Sequence, residues 1–598
     1  MSNLSTLPKG DSAWLLRKAI ERIMQQISVL ETNIGSSTTG NSANTQIIFN
    51  DAGTLRGDAG LVYNKTTDKL TVGTNIDIWR GLLNDGTSTG VGATALAATT
   101  AGATGNTALG YRAMYRATTG ASNVAVGSSA LSALAMSGSG NVALGNSAGS
   151  SITSGSNNVV IGQSGQKITT PDNCVAIGVN ALTGAQSTTG ANNIGIGPQA
   201  LFHDPLADLS GPDNIGIGTN AGRGITAASQ NVFIGTNAGY SSAAITAGNN
   251  IGIGASTLRN IATGAANICV GVFAGTSLVG GNNNAFLGNS AGATVATGSD
   301  NVAIGTNAFN KSGGGAGHTG LNNIAIGSSA MHSANQITGS DNIGMGQSCL
   351  RSLTSGGYNI AIGVNTANLT TTGGNNVAIG LFAGERNISA NDTIAIGQNA
   401  LRLNSVANNI AIGGNALQNN TIGIQNTAVG RSALAAITGA NNNTALGFNA
   451  AAATSGSDCV AIGASALSLA TGGDDNTAVG SAAMANGVAN LGFNTCVGRS
   501  AGLNVTGASN TFIGTNAGDN TTTGASNIAI GRAVSMSAAG ASFELAIGSA
   551  TYYVATNGAA ATYYANAVTG TVLPPVGSAG FMRVRLNGTF VRIAVYAD

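Results

Sequence analysis

The sequence predicts an all-β protein built as a parallel β-solenoid, or β-roll, of about 26 short coils. Three observations carry this. One phrase recurs: DNVAIGTNAF at 300–309 has near-copies NNIAIGSSAM at 322–331, NNVAIGLFAG at 375–384 and NNIAIGGNAL at 408–417. Aligned on the glycine that ends each phrase, 26 copies run from Gly110 to Gly548, a mean spacing of about 17.5 residues, with a weaker copy at Gly92. The 598 residues include 91 Gly but only 8% charged and 4% aromatic residues, against roughly a quarter charged in an average protein. A short fixed period over this length marks stacked repeats, not one globular core.

Each column of the repeat has a physical reading. The residue before the glycine is aliphatic (Leu109, Val126, Ile177, Ile304, Ile530) and the one three places before is mostly β-branched (Val124, Ile194, Val302, Ile360). Between them sits a small residue (Ala125, Ala176, Gly195, Ala303), and four places before the glycine stands Asn (Asn106, Asn123, Asn301, Asn527). This alternation is a strand of period two. The branched pair is expected to fill a thin core inside the coil. The small column is expected to face outward and let rods approach side by side, with Phe233, Phe286 and Phe512 as local plugs. The Asn column can form an amide ladder between coils, and the glycine can take a positive φ at a corner. Alanine recurs three residues later (Ala113, Ala130, Ala308), before a turn rich in Thr, Gly, Ser and Asn. Two short strands and two turns per coil, stacked at about 4.8 Å, give a rod on the order of 125 Å.

The flanks differ. Residues 1–11 precede a helix at 12–34, where Ala13, Leu16, Ile20, Ile23, Ile27, Leu30 and Ile34 form a heptad seam. The seam argues for parallel self-association but does not choose between dimer and trimer. Residues 35–84 read as a connector and a strand meander, 85–548 as the repetitive shaft, and 549–598 as a β cap or tip. The cap carries a hairpin around Asn587–Gly588.

The NNVAIGTNAL-type phrases resemble the left-handed β-roll repeats of trimeric autotransporter adhesin heads, across roughly 85–548. That resemblance implies association in threes with the apolar pair inside each coil. The flanks resemble bacteriophage tail-fibre proteins: TQIIFNDAGTLRGDAGLVYNKTTDKLTVG their N-terminal strand module, GFMRVRLNGTFVRIAVYAD a short C-terminal β module and, more loosely, GDSAWLLRKAIERI the N-terminal segments of related virion proteins. This implies a homotrimeric virion appendage, docked through its N-terminus on tail or baseplate proteins and reaching a host glycan or protein receptor with its far end. A purely structural spacer or whisker, and a trimeric bacterial surface adhesin, are the alternatives.

Little else in the sequence points to chemistry. The N-terminus lacks a signal-peptide pattern, so assembly in the host cytoplasm is expected. Net charge is +1, which gives no footprint for nucleic acid or an anionic membrane, and membrane insertion is not expected. HExxH, P-loop and CxxC patterns are missing, and no enzyme activity, cofactor or metal is expected. Five cysteines recur at distant repeats and are expected to be free thiols. Candidate recognition residues lie where the repeat breaks. The widest coils hold His203, Asp204, Asp208, His318 and His332, and the C-terminal region holds Tyr552, Tyr553, Tyr563, Tyr564, Arg583, Arg585 and Arg592.

Overall fold

The computed structural model describes residues 87–97, 102–166, 168–183, 189–202, 209–313, 315–487 and 492–548, the backbone of eight flanking strands, the burial of Leu70, and Arg22. Arg22 is helical; the rest of the predicted helix, with Leu16, Ile20, Ile23, Ile27, Leu30 and Ile34, lies outside the described residues. The chain divides into two units, 1–179 and 180–598.

In the first unit, strands Asn44–Asp51, Thr54–Asn64, Lys69–Val72 and Ile76–Arg80 form an antiparallel meander. Its last strand pairs antiparallel with Thr89–Val91, the strand that precedes Gly92. From there six three-residue strands stack in parallel, ending with Val175–Ile177. The second unit stacks twenty-one strands, from Ile194–Ile196 to Leu545–Gly548. Equivalent residues pair in register, as Ala303 does with Ala325. Twenty steps at about 4.8 Å give this unit a stack of roughly 95 Å. Its final strand pairs antiparallel with Tyr552–Thr556, which pairs with Ala561–Ala565. Gly580–Leu586 and Thr589–Val595 form the hairpin expected at Asn587–Gly588.

The repeat is a parallel solenoid, but its inside and outside are reversed from the expectation. The small column is sealed in the interior: Ala125, Ala303 and Ala325 are fully buried, as are Asn123, Asn301 and Asn323. The branched columns face out. Val302 is half-buried and Ile304 is 39% exposed. The reason is volume. Each coil is too narrow to take a branched pair from the strand as well, because its interior is filled from beyond the corner: by the fourth residue after the glycine, as Leu131, Phe309, Met331 and Leu350, and in many coils by a second side chain further on, as Ile152, Ile261, Leu278 and Leu353. Where the small column carries Phe, that fourth residue is Gly. A Cβ on Gly239 would lie 2.5 Å from the Phe233 ring, one on Gly292 2.5 Å from Phe286, and one on Gly518 2.6 Å from Phe512. The phenylalanines therefore plug the coil interior, not a contact between rods.

The second half of each coil is also not a second strand. Residues two and four places after the corner adopt left-handed backbone, as in Asn307 (φ 56°) and Phe309 (φ 49°), so the segment cannot extend. It still links coils through single bonds such as Phe309 N–H to Ala330 O (2.8 Å). The corner itself is as predicted. Gly305 has φ 124°, and a Cβ there would meet the Gly327 carbonyl at 2.8 Å.

Candidate functional site

The amide ladder is the most regular polar feature. Asn301 donates from N (3.0 Å) and Nδ2 (3.1 Å) to Asn284 Oδ1, and from Nδ2 to Gly320 O (3.0 Å). Its own Oδ1 accepts from the next coil's Asn323, through N (2.9 Å) and Nδ2 (3.2 Å). Thr393 continues the ladder through its hydroxyl, which donates to Asn376 Oδ1 at 2.6 Å. Cys174 and Cys459 occupy the same column; above Cys459, Asn476 Nδ2 meets the Sγ at 4.0 Å in place of an amide oxygen and donates to Gly473 O at 2.8 Å. All five cysteines are free and buried. Burial pushes the Cys349 thiol up to about 12 and raises Cys269 and Cys496 further, so they are inert thiols.

The outward branched columns form an apolar stripe on the strand face. Ile253, Val270, Leu287, Ile304, Met345 and Ile362 follow one another along it, with only Ile326 less exposed among them, and Leu446 and Ile547 reach 47% and 42% exposure. Monomeric soluble proteins rarely leave contiguous apolar patches larger than a few hundred Å².

The predicted recognition residues do not converge. His203, Asp204 and Asp208 lie outside the described residues. The four tyrosines and three arginines of the C-terminal region are placed by backbone only: Tyr553 opposite Tyr564, and Arg583 opposite Arg592. His332 is half-buried, and burial first, then the Arg351 charge, lowers its pKa. His318 corrects the expectation of a surface histidine. It is fully buried and stacks on Phe309 with ring centroids 5.1 Å apart. It pairs in parallel with Val295, in an interior column that other coils fill with Ile or Leu, because the longer insertion folds back and sets the imidazole into the core. Its Nδ1 accepts from the Ile337 amide (2.9 Å). Burial lowers its pKa to about 4, with Lys311 and His332 adding to this and the Asn310 backbone opposing it.

Sequence reasoning missed a column five residues after the corner. There Phe202, Arg223, Tyr240 and Arg259 follow one another on successive coils. The Arg223 guanidinium lies 5.2 Å from the Phe202 ring and 5.4 Å from Tyr240, and Arg259 lies 5.8 Å from Tyr240. Arg223 also donates to Gln199 Oε1 (3.2 Å). Extending the repeat alignment past the alanine would have revealed it. In the first unit Arg112 lies over Tyr111 (5.1 Å) and Tyr115 (5.6 Å), and Arg116 over Tyr115 (5.5 Å).

Other patterns reduce to the repeat. The GxSxG matches at 145–149, 288–292 and 498–502 are each a corner glycine plus the glycine four places on. In the first two the serine donates to the neighbouring Asn146 or Asn289 side chain, not to a histidine. Asp474 and Asp475 are exposed in a turn, where Asp474 accepts from Ser457 N–H (2.7 Å). Asp213 accepts from Asn192 Nδ2 (2.9 Å). Among the described residues no three His, Cys, Asp or Glu side chains could hold a metal, and no helix is long and apolar enough to cross a membrane.

The fold and these surfaces define a repetitive parallel β-solenoid with an apolar outer stripe. No family model, curated protein or solved structure matches the chain.

Proposed function

We propose that the chain is the subunit of a homotrimeric attachment fibre, a virion appendage whose solenoid holds a particle-bound N-terminal end away from a host-facing C-terminal end. The observation that carries this reading is the apolar stripe. Two branched side chains per coil, repeated at the coil spacing, match a surface with the same period, and another copy of this chain has it. The association expected through the small column passes to the branched columns. The heptad seam at 12–34 supports parallel self-association, and the adhesin-head and phage-fibre resemblances support threefold assembly and virion docking. Light scattering on the full chain at micromolar concentration tests the assembly: a trimer is expected, and a monomer overturns it. Deletion of 549–598 is expected to leave a trimer that no longer adsorbs to host cells. Undiminished adsorption would favour a spacer without receptor binding.

A further inference from the structure

The column Phe202, Arg223, Tyr240 and Arg259 is not accounted for by the solenoid or by the stripe. It lies beyond the corner glycine, on the left-handed half of the coil, and four consecutive coils alternate aromatic and guanidinium groups. Cation–π stacking explains why the rings sit there, but no carboxylate among the described residues pairs with either guanidinium. The contrast is Arg402, which lies 5.2 Å from the Phe382 ring and pairs with Glu385 at 2.7 Å, the one ion pair among the described residues. Among the described residues of 189–277 the sole carboxylate is Asp213, already bonded to Asn192. The two guanidinium planes are held in place by the rings, and Arg259 is exposed. A planar fork fixed in this way suits bidentate pairing with carboxylate. Arg223 and Arg259 are two coils apart, roughly 10 Å by the parallel strand spacing.

We propose that this column binds a polysaccharide carrying repeated carboxylates, with Arg223 and Arg259 each pairing with a carboxylate along one extended glycan strand. Nucleic acid fits less well. Tyr240 has a guanidinium stacked from the coil on either side, so it offers no open face for a base. A neutral glycan would need the same open ring face. The proposal deepens the attachment reading by naming a partner, but the site stands on one chain's geometry.

The test is titration of the intact protein with a polyuronate such as alginate oligosaccharide at low salt, with dextran and a single-stranded oligonucleotide as controls. Polyuronate binding that weakens with salt is expected. The Arg223→Gln/Arg259→Gln double variant is expected to lose at least about tenfold in affinity at an unchanged unfolding midpoint. Arg402→Gln is expected to bind as the parent does. The Arg223→Lys/Arg259→Lys variant, which keeps charge but not the fork, is expected to fall between. Absence of polyuronate binding, full binding by the glutamine variant, or equal binding of either control would overturn the proposal. A monomer that still binds polyuronate would refute the trimer and leave this site standing; a trimer that fails to bind would do the reverse.

Discussion

Asn323 donates both its backbone N–H and its side-chain Nδ2 to a single oxygen, Oδ1 of Asn301, at 2.9 and 3.2 Å. The coil contact therefore runs through a buried amide that cannot be replaced by an apolar side chain of equal volume. Leu at 301 would leave two buried donors of the next coil unsatisfied, at about 1–3 kcal/mol each. Asn301→Leu is expected to destabilise by about 2–5 kcal/mol, read as a lower unfolding midpoint and faster amide exchange around 301 and 323. The converse applies at Cys459, where the ladder is broken. Cys459→Asn is expected to raise stability by about 1 kcal/mol, and an unchanged midpoint would contradict the ladder's role.

The Phe286 ring occupies the space that a Cβ on Gly292 would enter. Phe286→Ala is expected to cost about 3–5 kcal/mol by leaving a cavity. Gly292→Leu alone overpacks, and its φ of 58° adds strain. Leu is nonetheless found at this position in other coils, as Leu350 with φ 48°. The double variant should recover much of the loss, giving a coupling energy of about 1–3 kcal/mol in a double-mutant cycle. Additive losses would contradict the shared-volume account.

His318 makes part of the fold acid-sensitive. Its pKa falls from 6.5 to about 4 on folding. Between those values the unfolded chain binds the extra proton, so stability rises with pH there. The contribution is complete above pH 6.5 and is lost as pH falls towards 4, in total roughly 3 kcal/mol. Hydrogen exchange of the 305–337 coils at pH 4.5 and pH 7.5 should show this loss, and His318→Leu should remove it. A pH-independent parent would contradict the burial.

Placing a charge on the stripe tests assembly directly. Ile304→Asp and Ile362→Asp together should reduce trimer to monomer in light scattering while the far-ultraviolet circular dichroism is retained, because both side chains point out of the coil. An intact trimer would move the interface elsewhere.

The repeat, its period, the strand within each phrase, the amide ladder and the corner at Gly305 were all legible in the sequence, because each follows from local chemistry recurring at a fixed interval. Period-two alternation also required Asn301 and Ala303 to share one face and Val302 and Ile304 the other. It could not say which face lies inside. That depended on coil width, which the left-handed turns at Asn307 and Phe309 set, and on the large side chains beyond the corner that already fill it. The same is true of His318, whose insertion could have led outward or back into the core. It is true also of Arg223 and Tyr240, seventeen residues apart in the chain and neighbours only because coils of unequal length stack with their corners aligned.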